Sequence, residues 1–233
     1  MGRPAGVKHE GLKEAIMRFR SREHAAQLLA ERLSADYKNK NPLILGIPRG
    51  AMPMAKIIAD ALGGELDVVL VHKLSHPDQP EFAIGAIDES GNAYLAEWAT
   101  ELDQQTIEQE KRRQIAILRR RRAQYTPLRS PIDPTGRIAI VVDDGIATGS
   151  TMIAALRAVR ARKPKKLVCA VGVASPHAAR ALAQEADAIV CLATPPEFFA
   201  VGQFFEEFAQ VTDEDVVDIL QRHKAATEAV GTS

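Results

Sequence analysis

The sequence predicts an α/β fold in which a five-stranded, mostly parallel β-sheet is covered by helices on both faces. Short apolar runs alternate with helical segments along most of the 233 residues. Each run is almost continuously apolar, as strands are when both faces of their sheet are buried. No repeat, low-complexity tract or convincing linker divides the chain, and its length suits one large domain. We therefore expect a single domain over residues 1–233.

The predicted elements follow one another in a regular order. Periodic apolar residues indicate a first amphipathic helix, and Asn41 and Pro42 break the pattern. Gly63 and Gly64 end the second helix, because glycine tolerates the left-handed conformation. Thr212 is a suitable N-cap for the last helix. In order, we predict a helix at 11–33, a strand at 43–47, a helix at 51–62, a strand at 67–71, a helix at 100–124, a strand at 137–142, a helix at 150–162, a strand at 166–173, a helix at 176–186, a strand at 188–192 and a helix at 213–223.

Two segments fall outside this alternation. Residues 75–98 begin with a turn-rich stretch, and residues 89–92 separate two short runs, which indicates a mobile hairpin. The residues that follow the fifth strand, about 193–212, form a second appendage.

Composition limits the function classes. The chain has 30 Lys and Arg against 30 Asp and Glu, and its pI is near 7.0, which argues against a surface built as a whole for nucleic acid. Cys169 and Cys191 each lie inside an apolar run, which indicates buried strand thiols rather than a disulfide or metal pair. No signal peptide or bilayer-spanning run is visible. We expect a cytoplasmic protein without a membrane partner, and a homodimer is the default for such folds.

The stretch VVDDGIATGST at residues 141–151 carries the clearest chemistry. Asp143 and Asp144 stand at the end of an apolar strand, where open parallel sheets bind ligands. The loop that follows opens a helix, whose first N–H groups and positive dipole end suit a phosphate. Because carboxylates repel phosphate, the two acids should face a hydroxyl-bearing or metal-bearing part of the ligand. A sugar phosphate meets both demands.

A purely structural interpretation of this stretch is a capped turn, with Thr148 or Ser150 as the N-cap. The complete string of apolar strand, acid pair and small-residue loop favours the functional interpretation. The P-loop, the Gly-x-Gly-x-x-Gly fingerprint and the Gly-x-Ser-x-Gly elbow are all missing from the sequence, and no His/Cys cluster has metal-ligand spacing.

VVDDGIATGST resembles the loop that binds phosphoribosyl pyrophosphate (PRPP) in the type I phosphoribosyltransferases. LILGIPRGAMPMA and VHKLSHPDQPEFAIGAI further resemble a group of predicted phosphoribosyltransferases of unassigned acceptor. The resemblance implies a flexible hairpin at 75–98, a small hood at 193–212, and Mg²⁺-dependent displacement of pyrophosphate from PRPP by a nucleobase or related nitrogen heterocycle in nucleotide salvage.

The resemblance also implies roles for individual residues. Asp143 and Asp144 would bind the ribose hydroxyls and act in catalysis. Arg49 and Gly50 would receive pyrophosphate, with Lys73 at the end of the second strand as a further basic contact. The 5-phosphate would be held by Ala147, Thr148, Gly149, Ser150 and Thr151.

The resemblance extends more loosely to the hood. There Phe199 would stack on the base with Val201 beside it, and Glu206 would neighbour a Mg²⁺ ion held mainly through PRPP. Ala147 departs from the family pattern, because the 6-oxopurine members carry an aspartate at this position. The acceptor is therefore not a 6-oxopurine, or another group such as Glu81 takes the proton of the base.

The helix predicted at 100–124 carries a basic run at Lys111–Arg113 and Arg119–Arg122. Nucleic-acid binding through residues 111–122 is one interpretation, which would suit a PRPP-binding regulatory protein without turnover. Acidic residues precede the run, however. Acidic residues near the N-terminus of a helix and basic residues near its C-terminus both complement the helix dipole. We therefore favour an enzyme in which this helix is a solvated face or a subunit interface, and do not expect nucleic acid as a partner.

Overall fold

The structure is a computed structural model that describes residues 18–76, 79–95, 99, 102–127 and 131–231. Its central sheet has five strands, all parallel, in the order β2-β1-β6-β7-β8. The predicted α/β class and the five-stranded parallel sheet are confirmed. The strands of this sheet are β1 (Leu43–Gly46), β2 (Glu65–Val68), β6 (Ile138–Ile146), β7 (Lys166–Ala174) and β8 (Ala188–Ala193).

Six α-helices accompany the sheet within the described residues, and in central strands such as β6 alternate residues supply two separate apolar layers. Ile140 and Val142 of β6 belong to the layer that contains α1 and α2, whereas Ala139 and Val141 belong to the layer that contains α4 and α5. Helices therefore cover both faces, as predicted. The helices are α1 (Arg22–Tyr37), α2 (Met52–Leu62), α3 (Gln104–Tyr125), α4 (Ser150–Ala161), α5 (Pro176–Leu182) and α6 (Asp213–Gly231).

A second, antiparallel sheet is formed by β3 (Val71–His76), β4 (Gln79–Asp88) and β5 (Ala93–Leu95), and it packs against α3 and α4. The predicted turn at 89–92 is confirmed: Asp88 accepts hydrogen bonds from the backbone and side-chain amides of Asn92. The prediction of one strand at 67–71 is wrong, because β2 ends at Val68 and the chain changes sheets before β3. Residues 77–78 and 96–98, at the ends of the predicted hairpin, lie outside the described residues.

The predicted first helix begins too early. Residues 11–17 lie outside the described residues, but residues 18–20 are not helical, and α1 starts after Ser21, whose hydroxyl caps the helix by accepting from the N–H of His24. Phe19 instead pairs with the hood: its N–H donates to the carbonyl of Phe204 at 2.8 Å, and its carbonyl accepts from the N–H of Glu206 at 2.9 Å. The side chain of Phe19 is buried against the ring of Phe205.

The other element boundaries agree with the predictions to within a few residues, with four exceptions. Strand β6 runs on through both aspartates, α3 begins four residues late, α5 ends four residues early, and α6 continues to Gly231. Two predicted caps are confirmed. Gly63 ends α2 with a φ of 65°, and the hydroxyl of Thr212 accepts from the N–H of Asp215 at the start of α6.

Three basic residues of α3 pair with acids among the described contacts, two of them at the helical spacing that the charge pattern indicates. Lys111 contacts Glu108 at 2.6 Å and Arg113 contacts Glu110 at 2.8 Å, each three residues along the helix. Arg122 is a different case: its side chain is largely buried and binds Asp67 and Glu89, which ties α3 to β2 and to the β4–β5 turn. That part of the basic run is a structural link between elements.

Candidate active site

The carboxyl end of β6 carries the two aspartates, which we call the acid pair. The strand does not end before them as predicted, because Asp143 pairs with Val171 and Gly145 with Val173 of β7. Successive residues of a strand point to opposite faces. Asp144 is accordingly buried toward α1, whereas Asp143 is partly exposed and accepts a hydrogen bond from the N–H of Asp144 at 2.9 Å.

Asp144 has a charged partner that sequence reasoning missed. Nε of Arg22, the first residue of α1, donates to Oδ2 of Asp144 at 2.8 Å, and both side chains are nearly inaccessible to solvent. Gly50 packs against this ion pair of Arg22 and Asp144, because a Cβ at position 50 would lie 2.6 Å from Oδ2 of Asp144 and 3.2 Å from Nη2 of Arg22. The structure therefore brings the predicted pyrophosphate loop into contact with the acid pair.

Asp143 is held in a setting that favours its neutral form. Burial raises its pKa well above the usual range of a carboxyl, and the charge of the adjacent Asp144 raises the pKa further. The N–H of Asp144 and the guanidinium of Arg22 oppose this rise. A hydroxyl, a proton or a cation at Asp143 would relieve the repulsion, which is the property expected of a site that waits for a ligand.

The loop after β6 leads into a helix that has no side-chain cap. The N-cap of α4 is Gly149 with a φ of 89°, so the structural interpretation, in which Thr148 or Ser150 caps the helix, is wrong. The first N–H groups of α4 therefore remain without a capping side chain at the positive end of the helix dipole. Ala147, Thr148, Ser150 and Thr151 are exposed around them.

The loop is nevertheless fixed at its base. Ser175 donates from its hydroxyl to the carbonyl of Ala147 at 2.7 Å and from its N–H to the carbonyl of Ile146 at 2.9 Å. These bonds join the end of β6 to the turn that follows β7. The loop is thus anchored at one end and open along the edge that carries the hydroxyl groups, a shape that suits an anion.

Arg49 lies in the short loop between β1 and α2. This loop starts beside the acid pair's strand, because the N–H of Ile47 donates to the carbonyl of Val142 at 3.1 Å. The peptide bond between Pro48 and Arg49 is cis. The partly exposed guanidinium of Arg49 is 3.7 Å from a carboxylate oxygen of Asp213, the first residue of α6. Asp213 also accepts a hydrogen bond from the hydroxyl of Tyr125, and sequence reasoning identified neither residue.

Lys73 does not lie at the end of the second strand of the parallel sheet. It is in the middle of β3 in the antiparallel sheet, opposite Ala86, with an exposed side chain. The prediction placed Lys73 wrongly because the run at 67–71 is continuously apolar after Asp67, so the sequence gives no sign that the chain passes from one sheet to the other between β2 and β3.

The hood meets the acid pair's strand through Val201. A Cβ at Gly145 would lie 2.4 Å from Cγ1 of Val201, so this glycine allows the hood to approach the backbone of β6 closely. Phe199 is 86% exposed, with its N–H bonded to the side chain of Gln203. Glu206 is exposed on the strand-like segment that pairs with Phe19. Of the predicted hood residues, only Val201 makes a described contact with β6.

No group of three or more His, Cys, Asp and Glu side chains gathers as a metal site among the described residues. The acid pair does offer adjacent carboxylates, the ligand type with which proteins hold Mg²⁺ that is bound mainly by substrate phosphates. Cys169 and Cys191 are free thiols, as predicted. Within the described part of the chain, no helix has the length and apolar character needed to cross a membrane.

Comparison with known proteins agrees with this geometry. Residues 14–204 match the model of the phosphoribosyl transferase domain. Two curated relatives from strains of Mycobacterium tuberculosis, named "Putative phosphoribosyl transferase" MT0597 and Rv0571c, are each 43% identical over 215 residues, which is 91% of this chain and 48% of each relative. The chain thus spans about half the length of these relatives.

A crystal structure of TT1426 from Thermus thermophilus is similar over most of the molecule. It shares 45% sequence identity with a TM-score of 0.80, and the match covers 88% of this chain and 99% of TT1426. The resemblance seen in VVDDGIATGST is thereby confirmed. The chain belongs to the phosphoribosyl transferase domain family, in the type I group with unassigned acceptor.

Proposed function

We propose that this protein is a Mg²⁺-dependent phosphoribosyltransferase that displaces pyrophosphate from PRPP with a nucleobase or related nitrogen heterocycle. The observation that carries the proposal is the single strand–loop–helix unit in which the acid pair leads into an uncapped helix at Gly149. Two negative groups and an anion-binding helix end follow one another within residues 143–150, which suits a ligand with hydroxyls at one end and a phosphate at the other.

The sugar phosphate would bind along this unit. Asp143 and Asp144 would accept hydrogen bonds from the two ribose hydroxyls, a role supported by the pKa of Asp143, which burial and then the charge of Asp144 raise. The 5-phosphate would be held by the backbone N–H groups and hydroxyls of residues 147–151. The open, uncapped start of α4 supports that assignment.

The pyrophosphate would bind on the other side of the acid pair. Gly50 packs on Asp144, which supports a place for its loop beside the carbon that would be attacked, and Arg49 in the same loop would supply charged donors. To do so, Arg49 must exchange Asp213 for the ligand. Lys73 remains a proposed further contact of the pyrophosphate.

The chemistry would require little covalent work from the protein. The transition state resembles an oxocarbenium ion, so positioning and electrostatics supply the catalysis. The acid pair would place negative charge near the developing cation. Mg²⁺, held chiefly by PRPP with Glu206 as an additional carboxylate, would neutralise the leaving pyrophosphate. The hairpin at 75–98 would close over the site and exclude water.

The acceptor would enter under the hood. Val201 would line its pocket, supported by the close packing on Gly145, and Phe199 would stack on the heterocycle, supported by its almost complete exposure. Ala147 has no group that can take a proton, so a 6-oxopurine acceptor would need another base. A panel of purines, pyrimidines and related heterocycles therefore has to be tested.

The experiment is pyrophosphate release from PRPP and Mg²⁺ across that panel. The double variant Asp143→Asn/Asp144→Asn sets the background, with circular dichroism to confirm that it is folded. We expect release that depends on one acceptor and falls to background in the double variant. Equal release by wild type and a folded double variant would refute the site. PRPP binding without release would instead indicate a regulatory protein, the alternative that the basic helix suggests.

A further inference from the structure

Arg22 makes three contacts at once. Its Nε donates to Oδ2 of Asp144 at 2.8 Å, its Nη1 donates to the carbonyl of Ala209 at 2.6 Å, and its guanidinium carbon lies 3.8 Å from the centre of the Phe208 ring. Its side chain is only 9% exposed. One guanidinium thus joins the first residue of α1, the acid pair and the end of the hood.

The hood is attached to this same part of α1 through the backbone. Glu206 donates its N–H to the carbonyl of Phe19, and Glu207 donates its N–H to the carbonyl of Arg20, both at 2.9 Å. Arg22 follows directly, after the cap at Ser21. The hood and the carboxylate of Asp144 therefore both contact the start of α1 at Arg22.

Burial of the Arg22–Asp144 ion pair costs hydration free energy, and packing alone does not explain why the protein keeps it. A buried ion pair is often no more stable than apolar residues of the same volume, because both charges lose their hydration. The charge of Arg22 also acts on Asp143, where it opposes the rise in pKa that burial and the charge of Asp144 cause. A guanidinium bonded to a carboxylate holds it in one orientation, which a ribose hydroxyl requires of its acceptor.

From these contacts we infer that Arg22 is a positioning residue of the proposed active site, which orients the carboxylate of Asp144 for the ribose of PRPP and couples it to the hood. The contact engages Oδ2, which leaves Oδ1 for the ligand. A lysine could supply the charge, but only the planar fork of arginine reaches the carboxylate, the carbonyl of Ala209 and the ring of Phe208 together. The inference rests on the proposed function.

The test is the affinity for PRPP with Mg²⁺, measured by calorimetry, which needs no knowledge of the acceptor. The variants are Arg22→Met, Arg22→Lys, Asp144→Asn and the double variant Arg22→Met/Asp144→Asn. Arg137→Met is the matched control, because Arg137 also binds a carboxylate (Glu65, 2.5 Å) and a carbonyl (Asn41, 3.2 Å). Arg137 directly precedes the start of β6, whereas the acid pair lies near the end of that strand. Thermal unfolding of each variant separates lost stability from lost binding.

We expect Arg22→Met to weaken PRPP binding by at least about tenfold, the usual effect of losing a charged hydrogen bond. Arg22→Lys should retain the charge but lose the fork, and so weaken binding by about threefold to tenfold. The double variant should bind no more weakly than Asp144→Asn, because Arg22 acts through that carboxylate. Arg137→Met should stay within about twofold of wild type, in line with a residue outside the site.

Hydrogen exchange of the hood supplies a second readout of the coupling. PRPP should slow the exchange of the amides of Glu206 and Glu207 in wild type, and this slowing should be lost in Arg22→Lys. Wild-type affinity in Arg22→Lys, or a double variant that binds more weakly than Asp144→Asn, would overturn the inference alone. These two comparisons hold even if Arg22→Met fails to fold, because the double variant removes the unpaired buried carboxylate. Absence of PRPP binding in wild type would overturn the proposed function and the inference with it.

Discussion

Arg49 and Asp213 face each other across the gap between the β1–α2 loop and the first turn of α6, with 3.7 Å between guanidinium nitrogen and carboxylate oxygen. Both side chains are partly exposed, so the contact is a weak one that a stronger anion could replace. In the free protein, the carboxylate of Asp213 therefore contacts the guanidinium of Arg49, where we propose that a phosphate group of the ligand binds.

Removal of this competing carboxylate should favour pyrophosphate. In Asp213→Asn we expect the affinity for pyrophosphate to rise by about 1.5-fold to 5-fold, because an exposed ion pair contributes about 0.2–1 kcal/mol. The amide can still accept from Tyr125. Calorimetry with pyrophosphate measures the change, and Asp218→Asn on the same helix, where Asp218 pairs with Arg222, is the control. Unchanged or weaker binding in Asp213→Asn would show that Asp213 does not compete.

Loss of the arginine itself should be selective for one end of the ligand. In Arg49→Met we expect PRPP binding to fall by about tenfold to a hundredfold, because a hydrogen bond to a charged group contributes about 1.5–3 kcal/mol. Binding of ribose 5-phosphate, which lacks the pyrophosphate, should stay within about twofold by the same reasoning. Competitive titration of both ligands makes the comparison. Equal losses for both would mean that Arg49 acts on the fold of the loop rather than on pyrophosphate.

The hydroxyl of Thr148 can be tested for function apart from structure. Since Gly149 is the N-cap of α4, Thr148→Ala should leave the melting temperature within about 1 °C of wild type, while ribose 5-phosphate binds more weakly. Asp103→Ala is the structural comparison, because Asp103 caps α3 by accepting from the N–H of Thr106 at 2.9 Å. It should lower the melting temperature by about 2–4 °C and leave binding intact. The reverse pattern would return Thr148 to a purely structural role.

Asp143 should make the stability of the protein depend on pH. Its folded pKa is raised by burial and by Asp144, so above the unfolded pKa the native state holds a proton that the unfolded state releases. This contribution to stability is present at low pH and is lost as pH rises through the raised pKa. Asp143→Asn should therefore melt higher than wild type at neutral pH, and the gain should shrink in acid. Thermal unfolding across the range from mildly acidic to mildly alkaline pH tests this, and a gain that does not vary with pH would contradict it.

The same residue should impose the opposite pH dependence on binding. Ribose hydroxyls require the ionised carboxylate, so PRPP affinity should increase as pH rises through the raised pKa of Asp143. In Asp143→Asn this increase should be absent over the same range. A stabilised variant that binds poorly would be the expected signature of a group kept for function at the expense of stability.

Features that depend on near neighbours in the chain can be predicted from the sequence. The alternation of apolar runs and helices predicts the parallel sheet, because a nearly continuous apolar run indicates by itself that both faces of its strand are buried. VVDDGIATGST identifies the strand–loop–helix unit for the same reason, since its chemistry lies within residues 141–151. The turn at 89–92 and the caps at Gly63 and Thr212 are equally local.

Contacts between residues far apart in the chain are visible only in the folded protein. Arg22 and Asp144 are 122 positions apart, and Arg22 is one of many charged residues in its predicted helix, so nothing local distinguishes it. The pairing of Phe19 with the hood, the contact of Arg49 with Asp213 and the place of Lys73 in a second sheet have the same origin. Such contacts depend on how the elements pack. The guanidinium of Arg22 and the carboxylates of Asp144 and Asp213 gain their partners only once the sheet, α1, α6 and the hood have come together.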